Sequence, residues 1–396
     1  MIQQRKPGRK LIIFTSYATI AMLGIYISLF QYTILNISQV FAVNAAMMGL
    51  MIGMQHFGMS VPPLFIGALC GRIGKKKVLL ASYTLIIAGT FLVGIIGDAG
   101  AFIASVLIIG AGFSVTEATT SAVLADEFPD ETTKHLNFSQ VAFSCGALAG
   151  PLIAERLINS GVYFKDLYIY CSLIFFALYG LFMLTKHAND KGEPLESSCF
   201  KLSGFFKNRA FLLLALGIML YVGVENTVAN FADSYFEIAM QTPALSATAL
   251  SLFWGAMIPS RFLAGIIKTD PKKIFASLSV LVFASCVTAM LIEDQTVKVI
   301  MFALCGFGCG PLWPLMMDAA AKKNRGASGP ALNIMMAFSG FGGAIMPLMS
   351  GALVGFAGLA SAFYFSAAVA VVMLFTYLAS LKDSAAKHKD SESKSV

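Results

Sequence analysis

The chain has 396 residues, of which 57 % are hydrophobic and 12 % charged, and its mean hydropathy is +0.77. A soluble globular domain carries about twice that share of charge, so composition excludes a cytosolic enzyme, a disordered protein and a nucleic-acid-binding domain. The net charge of +7 has another source, the placement of basic residues along the chain.

A helix that crosses a bilayer needs about 20 apolar residues. Twelve such stretches are predicted, at 11–36, 45–70, 78–96, 101–124, 138–159, 166–185, 211–236, 245–267, 274–292, 297–320, 330–354 and 359–381. They run far past the roughly 10 alternating residues of a transmembrane β-strand. The 35 Gly, 33 Phe and 20 Met suit helices that pack closely in lipid. The opening MIQQRKPGRK and its long apolar continuation read as an uncleaved first span, because no A-x-A site follows.

The first span holds Gln31 and Thr33, and the second holds Gln55 and His56. The glycine-rich basic connection GALCGRIGKKK (67–77) follows. Glu117 lies within the fourth span and Gln140 and Ser144 within the fifth. An ionised side chain at mid-bilayer costs about 2.5–3.5 kcal/mol, so such a residue is a functional candidate. The polar segment 186–210 reads as a linker between residues 1–185 and 211–396, each a six-helix half. The seventh span carries Glu225, Asn226, Asn230 and Asp233, the last three at helical spacings of four and three. Trp254 and Arg261 stand two turns apart in the eighth. Trp313 lies between Pro311 and Pro314, which are expected to break the tenth span and free carbonyls for a cavity or a neighbour to satisfy. Asp318 and Asn333 complete the polar set.

The halves repeat. An offset of 196 maps Gly146 and Pro151 onto Gly342 and Pro347, Gly110 and Gly112 onto Gly306 and Gly308, and Lys76 and Lys77 onto Lys272 and Lys273. Parallel repeats of this kind place a substrate site between the halves near the midplane. Of the 28 Lys and Arg, 24 fall in the two tails and on one set of connections. Only Arg156, Lys165 and Lys298 fall on the other side, and Arg261 lies within a span. This bias places both termini in the cytoplasm. The seven cysteines are odd in number and lack metal-site spacing, and read as free thiols. No phosphate loop, metal cluster or nucleophile elbow is present; GAG (110–112) and GFGCG (306–310) lie inside apolar spans. No cofactor is expected beyond a coupling ion, read as a proton.

Twelve spans in two parallel halves resemble the major facilitator superfamily, and the 67–77 connection resembles its signature loop, with Gly71 where the signature has Asp. Closer matches resemble the fucose–proton and glucose/galactose symporter family. They are GAGFSVTEA (110–118), HLNFSQVAFSCGALAGP (135–151), YVGVEN (221–226), FWGAMIPSRFLAG (253–265) and SGFGGAIMPLMSG (339–351). Ser121 and Ala122 stand where the family has Asn-Pro, and span 11–36 lacks the acid found in the fucose symporter, leaving Gln31 and Thr33 as its nearest polar residues.

The resemblance implies an all-α membrane protein with the major facilitator fold that moves a small polar solute. Glu117 and Glu225 are expected to couple protons, since a carboxyl withdrawn from water can bind and release one in the physiological range. Glu225, Asn226, Gln140, Trp254, Trp313, Asn230, Gln31 and Asn333 are expected to bind substrate. Amides both donate and accept hydrogen bonds, and an indole stacks on a sugar face. Arg261 is expected to form a structural ion pair, Asp318 being one candidate partner, or to clamp substrate. Gly67, Arg72, Gly74 and Lys76 are expected to gate. Proton-driven efflux of amphipathic drugs and a non-transporting sensor are the alternatives. The expected setting is a monomer in the plasma membrane (the inner membrane of a bacterium), with the lipid bilayer and a small-molecule substrate as partners and no nucleic acid.

Overall fold

The computed structural model of the chain describes residues 9–128, 131–185, 203–266, 269–324 and 328–393. These form helices joined by short connections, with no strand among the described residues. The helices are α1 (Arg9–Val40), α2 (Ala45–Ser60), α3 (Pro63–Ile73), α4 (Lys75–Ile95), α5 (Ala99–Glu127), α6 (Thr132–Asn159), α7 (Phe164–Met183), α8 (Ser203–Phe206), α9 (Arg209–Ser234), α10 (Pro243–Ile266), α11 (Pro271–Leu291), α12 (Gln295–Cys309), α13 (Leu312–Lys323), α14 (Ser328–Ala357) and α15 (Ala360–Ser393). Among the described residues, 10 helices are long and apolar enough to cross a membrane, α12 and α13 together forming one of them. The rest of the predicted set is the α2–α3 unit and the 24-residue α10.

The second predicted span, 45–70, is not one helix. It breaks after Ser60, and α3 starts afresh at Pro63. Pro62 and Pro63 both lack an N–H, so two helical hydrogen bonds vanish at adjacent positions. The tenth span breaks at Gly310–Pro311, where the sequence places proline. Pro151, Pro259 and Pro347 stay inside continuous helices.

The repeat is visible in packing. Helix α1 packs on α6 as α9 does on α14; α4 pairs with α5 and α7 as α11 does with α12 and α15; α2 meets α5 as α10 meets α12. The halves join through α2 against α14 and α10 against α6, two contacts that the repeat exchanges. A Cβ on Gly112 would lie 2.8 Å from Ile86 and 2.9 Å from the Ser82 carbonyl oxygen. One on Gly308 would lie 2.8 Å from Val282 and 3.1 Å from the Leu278 oxygen. Ser82 and Leu278, like Ile86 and Val282, are themselves 196 positions apart. Asp98 caps α5 by accepting from Ala101 N at 2.9 Å, and Asp294 caps α12 by accepting from Val297 N at 2.9 Å, again at the same offset.

One end of the bundle carries the basic connections; the other carries the turns at 41–44, 96–98, 160–163, 240–242, 292–294 and 358–359. At this second end the halves are in contact. Gln39 of α1 hydrogen-bonds Glu237, just beyond α9. Gly49 and Gly351 bring α2 and α14 backbone to backbone, with a Cβ on Gly49 placed 2.6 Å from the Pro347 oxygen. At the charged end Gly74 closes α3 at φ +88 and ψ +146, a conformation suited to a residue without Cβ. There Lys75 pairs with Asp126, and Lys76 donates to the Thr185 carbonyl at 2.7 Å. Arg72 is exposed. Glu131, beside the start of α6, is held below the usual carboxylate range by the hydrogen bond and charge of Lys134.

Candidate functional site

Between Leu220 and Phe236 every residue is buried except Glu225. That stretch packs against α1, α10, α14 and α15, so the half-buried carboxyl of Glu225 faces space inside the bundle. Tyr221, one turn earlier, donates its hydroxyl to Glu225 Oε1 at 2.9 Å. Tyr221 was not among the expected residues, although its i, i+4 spacing from Glu225 within YVGVEN was available to find it.

Glu117 on α5 is also half-buried. Gln140 of α6 hydrogen-bonds it, and the Arg261 guanidinium of α10 lies within electrostatic reach of both Glu117 and Glu225. Arg261 thereby brings together acids from opposite halves without pairing directly with either. Among the described residues it makes no ion pair. Its NH1 donates to Ser144 Oγ at 2.8 Å, its Nε donates to the Gly310 carbonyl at 3.0 Å, and its NH2 lies 3.8 Å from Met257 Sδ. The expected ion pair with Asp318 is therefore corrected. Asp318 is exposed on α13 and pairs with Lys322 at 2.6 Å, an i, i+4 neighbour on its own helix. Arg261 instead satisfies the Gly310 carbonyl, freed because Pro314 has no N–H to donate to it, and Ser260 satisfies the Phe307 carbonyl, freed in the same way by Pro311.

A second group lies toward the closed end. Trp254 donates its indole N–H to Gln31 Oε1 at 2.9 Å, joining α10 to α1 across the halves. Its ring meets Phe143 of α6 at 6.0 Å, near edge-on. Tyr26 donates to Gln55 Oε1 at 2.8 Å, and His56 of α2 meets Asn226 of α9. Thr33 bonds the Tyr168 hydroxyl. Asn226 and Asn230 spend their NH2 groups on the carbonyls of Val222 and Asn226. Buried and without a partner among the described residues are Gln31 Nε2, Gln55 Nε2 and Asn230 Oδ1. His56 Nε2 of α2 is likewise buried and unpartnered, so donors and acceptors on α1, α2 and α9 are left unspent, and a buried polar group without a partner costs about 1–3 kcal/mol. A neutral hydroxylated ligand complements both kinds.

Two expected residues stand apart. Asn333 of α14 lies by Gly67 of α3, where a Cβ would be 3.9 Å from Asn333 Nδ2. Trp313 is half-buried and packs on the edge of the core from α13. Asp233 joins Ser246 of α10 instead of the Glu225 group. The described cysteines are free, Cys286 and Cys305 lying 3.7 Å apart, and among the described residues no cluster of His, Cys, Asp or Glu could hold a metal. Residue Cys199 and most of the predicted linker lie outside the described residues.

The family model for the Major Facilitator Superfamily matches residues 11–324 and 240–395. The chain belongs to the Major Facilitator Superfamily. This superfamily chain is 22 % identical over 285 residues to the glucose/galactose transporter of Brucella abortus biovar 1, a match covering 66 % of this chain and 67 % of that one. Its fold is similar to the nucleoside transporter NupG, with TM-score 0.76, 12 % identity and coverage of 94 % and 99 % of the two chains. It is similar also to the fucose:proton symporter FucP of E. coli, with TM-score 0.66, 20 % identity and coverage of 94 % and 98 %. These relatives and neighbours are transporters, not enzymes, and the chain is a Major Facilitator transporter.

Proposed function

We propose that this transporter carries a sugar or a similar small neutral polyol by alternating access, coupled to protons, and works as an uptake system. The observation that carries the reading is Glu225. It is the one residue of the Leu220–Phe236 stretch that is not fully buried, and it stands with the Tyr221 hydroxyl on its carboxylate and the buried amide of Asn226 next in the chain. Two carboxyls and a guanidinium that none of them binds directly suit a solute recognised by hydrogen bonds. The names of the Brucella relative and of the fucose symporter agree with a sugar, and that of NupG extends the class to nucleosides.

In this reading residues 1–185 and 211–396 rock about the site, 186–210 links them, and the termini and the charged end face the cytoplasm of a bacterial cell as a monomer in its inner membrane. With the opposite end closed, the interior space faces inward. Glu225 and Gln140 orient hydroxyls, the Trp254 ring stacks on the solute, and Glu117 carries the proton in or out of its contact with Gln140. Gly67, Arg72, Gly74 and Lys76 shape the gate at the charged end.

The test is uptake of a labelled panel of hexoses and nucleosides into vesicles under imposed proton or sodium gradients. Proton-driven accumulation of a hexose is expected. Glu117→Gln mimics the protonated carrier. It is expected to keep counterflow, since the neutral form still changes conformation, and to lose accumulation. Accumulation that survives this substitution assigns coupling elsewhere. Outward movement of amphipathic cations in place of sugar uptake would replace the reading with drug efflux.

A further inference from the structure

Asp233 has no place in the site just described. It is 2 % exposed, near the closed end of α9, and its one hydrogen-bond partner among the described residues is the Ser246 hydroxyl of α10. Beside it the Asn230 Oδ1 and Ser234 Oγ atoms are buried and unpartnered among the described residues. An ionised carboxylate held there would lack a compensating cation, an arrangement that burial penalises heavily.

The neighbours confirm this element by element. From α1 comes Tyr32, within electrostatic reach of Asp233, of Glu155 on α6 and of Glu237. Tyr235 and Glu237 belong to the π-helical turn Tyr235–Ala239 that follows α9, the kind of irregularity that recurs at functional sites. The described part of α10 contains only one ionisable residue, Arg261, far along the helix, the described part of α14 contains none, and α15, which also packs on α9, has only Tyr364 and Tyr377 within Ala360–Leu381 and no charged residue there. Three described cations lie at this end: Arg156 on α6 and Lys165 on α7, both in the other half, Lys165 donating to the Ile96 carbonyl at 2.6 Å, and Lys298, which comes from α12. Lys298 is buried but already committed, donating to the Tyr235 hydroxyl and the Ala289 carbonyl, each at 2.8 Å.

Asp233 is also close to water. Burial on this segment ends between Phe236 and Glu237, one turn further on. The lid over that turn belongs to the other half of the molecule, for it is α1 that brings Tyr32 and the Gln39–Glu237 hydrogen bond. When the halves part at this end, α1 leaves α9 and the carboxyl gains access to solvent.

We propose that Asp233 is a second proton-binding site of the transport cycle, exchanging its proton at the end opposite the charged loops and only while α1 is parted from α9. In the closed arrangement the carboxyl holds its proton. In the open one the O–H bond breaks, the proton passes to water on that side, and the carboxylate is left hydrated. Deprotonation then holds that end open, and reprotonation lets it close. Glu117 and Glu225 serve the interior space, so proton exchange on the two sides of the seal falls to different residues.

This inference rests on the proton-coupled reading above, but its test uses no substrate. The seven cysteines are replaced by serine, and spin labels are placed through Ser160→Cys and Glu293→Cys, exposed positions of opposite halves at the closing end. Their separation is measured in lipid nanodiscs from roughly pH 5 to roughly pH 9, the span over which perturbed carboxyls titrate. The long-distance population is expected to grow with pH, by at most about tenfold per pH unit for one linked proton. Asp233→Asn should flatten that response and keep the short distance, whereas Glu237→Gln and Glu155→Gln should leave it standing. An unchanged response in Asp233→Asn overturns the proposal. So does a parent protein whose distance ignores pH, and that result decides the matter even if the variant does not insert. Failure of hexose accumulation bears on the substrate and coupling reading and leaves this measurement intact.

Discussion

The hydrogen bond from Trp254 to Gln31 is expected to act as a latch between the halves. It is 2.9 Å long and both residues are buried. Trp254→Phe keeps a ring against Phe143 and Phe253 but removes the N–H. Gln31, whose Nε2 is already unpartnered, then has no partner at either end of its amide. A typical buried hydrogen bond contributes about 0.5–1.5 kcal/mol, and stranding one of its partners costs about 1–3 kcal/mol. The closed arrangement should therefore lose roughly 1.5–3 kcal/mol, a shift of about 10- to 150-fold toward the open form. Gln31→Leu strands the indole N–H instead and should cost a similar amount. The double variant leaves neither partner stranded, so it should fall well short of the sum, with a coupling of about 1–3 kcal/mol. The Ser160–Glu293 distance distribution reads the open and closed populations directly. Additive shifts, or single variants within threefold of the parent, would refute the latch and leave Trp254 and Gln31 with a role in substrate contact alone.

Glu225→Gln preserves an acceptor for Tyr221 but removes the charge and the proton. Hexose affinity should fall by about 1–3 kcal/mol, or roughly 5- to 150-fold, as read from the half-saturation of counterflow; unchanged affinity would reduce Glu225 to packing. For the orientation in the membrane, Gly97→Cys should react with an impermeant thiol reagent added outside cells, and Asp190→Cys only after permeabilisation, both in a background without native cysteines. Gly97 serves because nothing lies within 4 Å of an added Cβ, whereas neighbouring Asp98 caps α5.

The fold was readable because two periodic signals repeat over long stretches. Apolar runs of membrane length mark the helices, and the offset of 196 marks the halves. The Gly112 and Gly308 contacts show why the offset endures: each glycine makes room for a neighbouring helix that repeats in step with it. Glu117, Glu225 and Arg261 were readable for a different reason, the cost of charge in lipid. Their partners were not. That cost says a guanidinium must find oxygens, and it does not say which, so the Gly310 carbonyl and Ser144 could be found only once α10, α12 and α6 were placed together. Asp318 shows the opposite failure: its i, i+4 neighbour Lys322 was visible in the sequence and accounts for it without any long-range partner. The break in the second span was signalled by Pro62–Pro63, but a hydrophobic run does not report its hydrogen bonds.

The repeat also separates what the two halves share from what they do not. Gly146 and Gly342 pack against the Ala21 and Met219 carbonyls, and Gly110 and Gly306 against those of Gln55 and Phe253, so α1 aligns with α9, and α2 with α10, at 198 rather than 196. In that register Glu225 falls on Ile27, Asp233 on Leu35, Arg261 on Pro63 and Gln31 on Ala229; at 196, Glu117 falls on Trp313. Each of these polar residues at depth has an apolar counterpart in the other half. Duplicating them would double the cost of charge in the bilayer and set like charges against each other across the axis. Helix packing gains from symmetry, since the same small-residue crossings serve twice. The chemistry gains from its absence: with Glu117 in one half and Arg261, Glu225 and Asp233 in the other, rocking the halves changes the distance between unlike groups. Such a change is what lets a conformational step alter the affinity of a site for a proton.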